Sequence, residues 1–354
     1  FKNQQKKREE KKMERLKKLS LTMVLILVGM LFCTTVASAA PTELSLGLIV
    51  PPKHLRYLHV IEPWMKMVEE QTKGAVKINP FFNMTLAPAA QLFDATVKGL
   101  ADLSETYTFD PPGKFMITQT MALPETGFKT STSCSRALWH LYKTFPEMKE
   151  EYKGVKVLWL HTTPAMKLMM KKKAVRSLED LKGLKIAVSG DLGVEVAKAL
   201  GFSPVTMPTA NIYEAQDKGV IDGHIRPSEL LISRSFYEVT KYAIDVDLGH
   251  DLFFIAMNPN TYNKLPSDTQ KVFDKLSGDW AVDFTGKEWD QFESDAENQA
   301  KAKGIEYISL SPQEMARWRK SLVPIQEAYA AQLESKKLPG KKILEELKKF
   351  GAKK

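Results

Sequence analysis

Residues 175–223 read VRSLEDLKGLKIAVSGDLGVEVAKALGFSPVTMPTANIYEAQDKGVIDG, and the order of caps, strands and turns within them decides the fold class. Ser177 stands where it can cap a short helix whose first turn holds Asp180, and Gly183 ends that helix. The apolar run 184–188 follows as a strand, so Ala187 falls near its carboxyl end. Ser189 and Gly190 then lead into a helix over 192–200, a strand over 204–207, a helix capped by Thr209 and a strand over 220–225. Arg226 occupies the carboxyl end of that last strand, which is where open α/β sheets bind ligands. A surface salt bridge is the other reading of an arginine in such a place.

The same texture extends outward. Leu44, Leu46, Leu48 and Val50 alternate as a strand does, Pro51-Pro52 breaks the run, and a helix over 57–70 is followed by Gly74 and a strand over 75–80. Residues 155–161 are apolar enough for a buried strand, and the alternation as a whole predicts an α/β fold with a largely parallel sheet. Residues 267–303 read as almost continuous helix, and Ser311-Pro312-Gln313-Glu314 as a full capping box with proline at the first helical position. Residues 93–102 align with 213–222, each copy passing from helix through Gly99 or Gly219 to an aspartate, Asp102 or Asp222. This weak repeat favours two lobes, although any helix-glycine-strand joint looks similar. The basic tail 341–354 is expected to form a terminal helix on the surface.

The amino-terminal segment is of another kind. A basic run over 2–18, an apolar stretch over 21–36 and Ala37-Ser38-Ala39 make a secretory signal peptide cleaved near Ala39, with residues 1–12 read as an upstream extension. A retained membrane anchor is the alternative, but the 16 apolar positions are interrupted by Thr22, Gly29, Thr34 and Thr35, short of the roughly 20 a spanning helix needs. Lipid attachment at Cys33 is disfavoured by bulky Phe32 before it. Residues 1–39 hold nine of the 51 basic and three of the 42 acidic residues, so 42 against 39 remain and the formal charge falls from +9 to about +3. That balance gives no case for a nucleic-acid partner. Only Cys134 remains among 315 residues, so an intramolecular disulfide is ruled out and a core must hold the fold.

The motifs VRSLEDLKGLKI, PVTMP, IYEAQDKGVIDG and the later MNPNTYNKLPSDTQKVF, in that order, resemble the extracytoplasmic substrate-binding proteins of TRAP transporters, the DctP-like family, almost end to end. KVLWLHTT and VEEQTKGAVKI fit the same pattern. The resemblance implies a periplasmic, type II-like two-lobed binding protein with hinge strands and a long bracing helix, closing over a small organic anion. Dicarboxylates and other organic acids are the default cargo. It places lobe I at 40–163 and 253–290, lobe II at 164–252 and 291–335, and a C-terminal helix or tail at 336–354. It also implies delivery to the large and small subunits of a membrane permease, action as a monomer, and no cofactor and no enzymatic activity.

In most members an arginine in the strand after LKGLK grips the ligand carboxylate in a fork that lysine cannot copy; here that position is Ala187. Many members have a ligand-contacting asparagine where this chain has Arg226, so a cation has moved to the neighbouring strand end. Lys167, some twenty residues before Ala187, is a second candidate cation, beside the solvated run Lys171-Lys172-Lys173. Asn211 stands where an acidic residue is usual. Tyr107, Phe109, Trp159 and Phe253 are candidate lining residues, Trp159 being read first as core. His54, next to Arg56 and Tyr57, is a candidate from the first lobe, with simple exposure as the bland reading.

Other chemistries find little support. The histidines at 54, 59, 140, 161, 224 and 250 show no compact metal spacing, and the sequence has neither GxSxG nor a glycine-rich phosphate loop. Asp245, Asp247 and Asp251 lack a calcium-loop pattern and read as a polar strand-to-loop transition. A secreted two-lobed enzyme and a stand-alone sensor or scavenger on the same fold remain the alternatives.

Overall fold

Alternating apolar residues in 42–48 have to bury one face, and the chain does this by building two sheets rather than one. The computed structural model describes residues 2–31, 40–109 and 111–352. The first sheet contains β1 (Thr42–Leu48), β2 (Val76–Phe81), β3 (Leu103–Tyr107), β4 (Lys156–Thr162) and, returning from far along the chain, β10 (Leu252–Met257), in the order β2-β1-β3-β10-β4. The second contains β5 (Lys167–Met170), β6 (Lys185–Val188), β7 (Ser203–Thr206), β8 (Gly223–Arg226), β9 (Tyr242–Ile244) and β11 (Glu306–Ile308), in the order β11-β9-β5-β8-β6-β7. Each sheet is mixed, which corrects the expectation of a largely parallel one. β10 runs antiparallel to β3 and β4, and β5 antiparallel to β8 and β9. Both are the strands by which the chain enters a sheet after crossing from the other.

The two crossings, 163–166 and 245–251, lie side by side. Thr163 N donates to Asp251 O at 2.9 Å, Asp251 N to Thr163 Oγ1 at 3.0 Å, and Met166 N to Gly249 O at 2.8 Å. Gly249 has φ +104°, and a Cβ there would stand 2.3 Å from Ala122 O, so the close approach requires glycine.

The 93–102 and 213–222 repeat has a structural meaning. Asp102 accepts from Ser45 N (2.9 Å) and Ser45 Oγ (2.8 Å) of β1 and from Thr261 Oγ1 (2.8 Å), while Asp222 accepts from Lys185 N of β6 at 2.8 Å. In each sheet the aspartate after the helix-ending glycine ties the next strand to its parallel neighbour.

The helical stretch 267–303 divides into Ser267–Lys275 and Gly278–Ala302, because Gly278 takes φ +61° and resets the chain direction. Its longer part braces both sheets. Trp289 and Phe292 belong to the larger apolar cluster with the first sheet, and Ala300 to the smaller one with Met169, Ala187 and Ile212. Gly286 lies so close to the helix Ser131–Thr144 that a Cβ would come within 2.6 Å of Thr132 Cα. Glu293, nearly buried on the brace, accepts from Ser228 N (2.7 Å) and Glu229 N (2.8 Å), satisfying amide groups just beyond β8.

Elsewhere the caps differ in detail from expectation. Ser311 Oγ accepts from Glu314 N, but the Glu314 carboxylate turns to Leu178 N, Trp318 Nε1 and Arg317, so only half of the expected capping box forms. Thr209 lies inside a short 3-10 turn, Thr209–Asn211, rather than capping the helix Ile212–Asp217. The tail forms the helix Gly340–Ala352, which buries Ile343 and Leu347.

The amino-terminal unit is a helix, Lys2–Leu31. Among the described residues no helix is long and apolar enough to cross a membrane. The expected cleavage site at Ala37-Ser38-Ala39, Cys33 and the end of the apolar stretch lie outside the described residues.

Two measurements test this scaffold. Asp102→Ala removes three charge-assisted bonds and is expected to lower unfolding stability by about 2–3 kcal/mol, against roughly 1–2 for Asp222→Ala, in urea titration; equal losses contradict the bonding described. Glu229 is fully buried, and burial, with Glu293 adding to it, pushes its carboxyl up to about 7. The folded form therefore holds a proton that the unfolded chain releases near 4.5. Its contribution to stability is full below that pH and is lost as pH rises through about 7, on the order of 3 kcal/mol. Glu229→Gln should flatten stability between pH 4.5 and 7. Glu151, also raised to about 7, leaves a residual slope.

Candidate functional site

Period-two alternation places Tyr107, Phe253 and His161 in one row, since Phe253 of β10 is in register with Tyr107 of β3 and His161 of β4. The Phe253 ring centre lies 4.9 Å from that of Tyr107 and 5.0 Å from that of His161, which is stacked on it at 18°. Trp289 extends the group at 6.2 Å from Phe253, and Phe109 continues it 5.8 Å from Tyr107. Phe253, His161 and Trp289 are buried, whereas Tyr107 and Phe109 are half-buried and so form the accessible edge.

A guanidinium covers this row. Arg56 Cζ lies 3.9 Å from the Phe253 ring centre, and Arg56 Nε approaches Glu105 Oε1 at 2.9 Å as an ion pair, with Nη2 donating to Oε2 at 3.4 Å. Arg56 is 2% exposed and Glu105 fully buried, so each charge depends on the other. His54 Nδ1 accepts from Arg56 N at 3.2 Å, and burial, with Arg56 and Arg234 adding to it, holds the ring neutral well below its usual pKa. His54 is thus a buried support for Arg56 rather than an exposed loop residue. Burial likewise keeps His161 neutral, and among the described residues neither of its ring nitrogens has a hydrogen-bond partner.

In the second sheet, Arg226 ends β8. Its side chain is 2% exposed, Nη1 donates to Ile225 O at 2.7 Å and Nε to Thr209 Oγ1 at 3.4 Å. Among the described residues no carboxylate lies within ion-pair distance of it. Its charge nevertheless reaches Tyr107 and Asp251, both of which also feel Arg56, so residues of the two sheets share one electrostatic field. Asp251 is 8% exposed, and among the described residues its Oδ1 has no hydrogen-bond partner.

Asp251 also belongs to an apolar cavity lined by Phe109, Ser189, Leu192, Ile225 and Leu248. Arg226 does not line it, because Ile225 forms that wall and adjacent side chains of a strand face opposite ways. Asp251 and Phe109 connect the cavity to the charged group.

The remaining expected residues fall elsewhere. Lys167, in register with Arg226, is 2.8 Å from Glu297 and 3.9 Å from both Glu293 and Asp245. Burial works against its charge and these carboxylates outweigh it, so the ammonium is committed to the brace. It borders a separate charged opening with Glu125, Lys129, Asp247 and Arg319. Ala187 is fully buried in the smaller apolar cluster with Met169 and Ile212, opposite His224. Asn211 is exposed. Trp159 packs edge-on to Trp64 at 5.1 Å within the core.

Sequence reasoning passed over Arg56, Glu105, His161, Trp289 and Asp251. A usable signal existed for two: Arg56 directly flanks the His54 position, and His161 is two residues from Trp159 on one strand face. Among the described residues no group of histidine, cysteine and carboxylate side chains is placed to hold a metal ion.

Residues 46–333 match the family described as bacterial extracellular solute-binding protein, family 7. A TRAP periplasmic solute-binding protein of Desulfovibrio salexigens is similar in structure, with TM-score 0.80, 31% identity and coverage of 89% of this chain and 97% of that one. A TRAP periplasmic solute-binding protein of Bordetella bronchiseptica with bound (R)- and (S)-mandelate has TM-score 0.80 and 27% identity, covering 88% and 99%. The monocarboxylate 2-oxoacid-binding periplasmic protein of a Nostoc species is 27% identical over 314 residues, 84% of this chain and 81% of that one. With the family matched over most of its length and the two-sheet architecture shared, the chain belongs to the family 7 extracellular solute-binding proteins, the substrate-binding components of TRAP transport.

Proposed function

We propose that this protein captures a small monocarboxylic acid with an apolar, preferably aromatic, body between its two sheets, and presents it to the large and small subunits of a TRAP membrane permease. Export across the cytoplasmic membrane, with the leader removed near Ala39, belongs to the same reading. So do a monomeric state and lobes at 40–163 with 253–290 and at 164–252 with 291–335, which follow the membership of the two sheets.

The observation that carries the reading is the buried Arg226 guanidinium without a carboxylate partner among the described residues, its charge reaching Tyr107. A buried charge without a counter-ion is costly, and an incoming carboxylate supplies one with two parallel hydrogen bonds. Arg56 is a poorer anchor, because Glu105 already holds it. Tyr107 and Phe109 offer the body of the ligand a partly exposed aromatic edge, in keeping with the mandelate held by the Bordetella bronchiseptica protein.

Isothermal titration of the purified protein with aromatic and aliphatic monocarboxylates tests this. Arg226→Ala should weaken the best acid roughly 100-fold. Arg226→Lys should recover only part of the loss, because an ammonium cannot copy the fork. The melting temperature of the ligand-free Arg226→Ala protein should stay level or rise, since a buried unpaired charge is removed. Unaltered affinity in Arg226→Ala overturns the assignment.

A further inference from the structure

The ligand reading leaves one group unused. Asp251 closes the second crossing between the sheets, and its backbone is fixed on both sides by Thr163, through Thr163 N to its carbonyl (2.9 Å) and its own N–H to Thr163 Oγ1 (3.0 Å). Its backbone is therefore held in place, while among the described residues its carboxylate has no ion-pair partner and its buried Oδ1 has no hydrogen-bond partner. It lines the cavity beside Phe109 and lies in the fields of both Arg226 and Arg56.

We propose that Asp251 is a specificity-determining contact, accepting a hydrogen bond from a hydroxyl or amino group of the ligand while Arg226 holds the carboxylate. The inference rests on the Arg226 reading and narrows its substrate class to monocarboxylates that carry a donor close to the carboxylate. A buried acceptor without a donor is expensive to leave so, and a ligand that supplies one gains what a ligand lacking it forfeits. Charge points the same way. Arg56 is neutralised by Glu105, so Arg226 is the cation left for the ligand, and a second carboxylate on the ligand would face Asp251 with no further cation to meet it. Burial raises the Asp251 pKa while Arg226 and Arg56 pull it down; ionised or protonated, the side chain retains acceptor capacity.

Four acids of one skeleton, phenyl–CHX–carboxylate, separate the outcomes: phenylacetate (X = H), mandelate (X = OH), phenylglycine (X = NH3+) and phenylmalonate (X = COO−). Calorimetry on the wild-type protein should show mandelate or phenylglycine binding at least tenfold tighter than phenylacetate, and phenylmalonate weakest, the tenfold being roughly the lower end for a hydrogen bond to a charged group. Asp251→Asn should shrink the mandelate-to-phenylacetate ratio severalfold, and Asp251→Ala should bring it close to one. Circular dichroism and the ligand-free melting temperature monitor folding, and the wild-type series stands without any variant. Equal affinity for phenylacetate and the two donor-bearing acids, or tighter binding of phenylmalonate, overturns the role of Asp251 and leaves Arg226 standing. Failure of all four acids to bind overturns both.

Discussion

A guanidinium buried at the end of β8, with no carboxylate within ion-pair distance among the described residues, is the constraint on which the proposed site depends. Burying an isolated charge costs several kcal/mol even after relaxation, and Arg226 offsets only part of this through Ile225 O and Thr209 Oγ1. Arg56 shows the alternative arrangement in the same protein, equally buried but matched by Glu105 and covering Phe253. One arginine is complete within the fold, while the other lacks an anionic partner among the described residues. That asymmetry is what the proposed ligand-binding role of Arg226 rests on.

Holding an incomplete charge in place requires a rigid surround, and the scaffold supplies it by satisfying backbone groups with carboxylates. Asp102 and Asp222 perform the same task in the two sheets, and Glu293 performs a related one on Ser228 and Glu229 immediately beyond Arg226. Lys167 joins Glu297 and Glu293 to β5, the neighbour of β8. The brace helix thus grips β5 and the segment immediately after β8, and Trp289 on the same helix reaches the aromatic row of the first sheet. Its apolar residues span both clusters, which makes it the physical connection between the two halves of the site.

Features governed by local chemistry were legible in the sequence. The strands around Ala187 and Arg226, the glycine joints at 99 and 219 and the helical character of 267–303 follow from periodicity and from residues that take positive φ. What escaped depends on partners far along the chain. Half of the capping box at Ser311 is missing because Leu178 N competes for Glu314. Lys167 and Arg226 look alike as isolated cations, and only the acids of a helix more than a hundred residues later distinguish them. Asp251 reads as a polar turn until Thr163 is bonded to it and the charge of Arg226 reaches it. His161 reads as part of an apolar strand until the register places it next to Phe253.

The contrast between Ala187 and Arg226 also becomes physically intelligible. Ala187 is in register with His224, and His224 stands two residues before Arg226 on the same face of β8. Burial, with Arg226 adding to it, lowers the His224 pKa to about 3, and Gln216 Oε1 takes up Nδ1 at 2.6 Å, so the ring is neutral and donates there. The space around position 187 is filled by Met169, Ile212 and Ile221 and is not left as an enlarged pocket. A second guanidinium at 187 would have to displace that cluster and would lie one row from Arg226, where like charges in a low-dielectric interior repel strongly. An apolar residue at 187 and a cation at 226 are therefore mutually consistent. The positive charge sits at the strand end, from where it reaches Tyr107 of the opposite sheet and Asp251 of the crossing before β10.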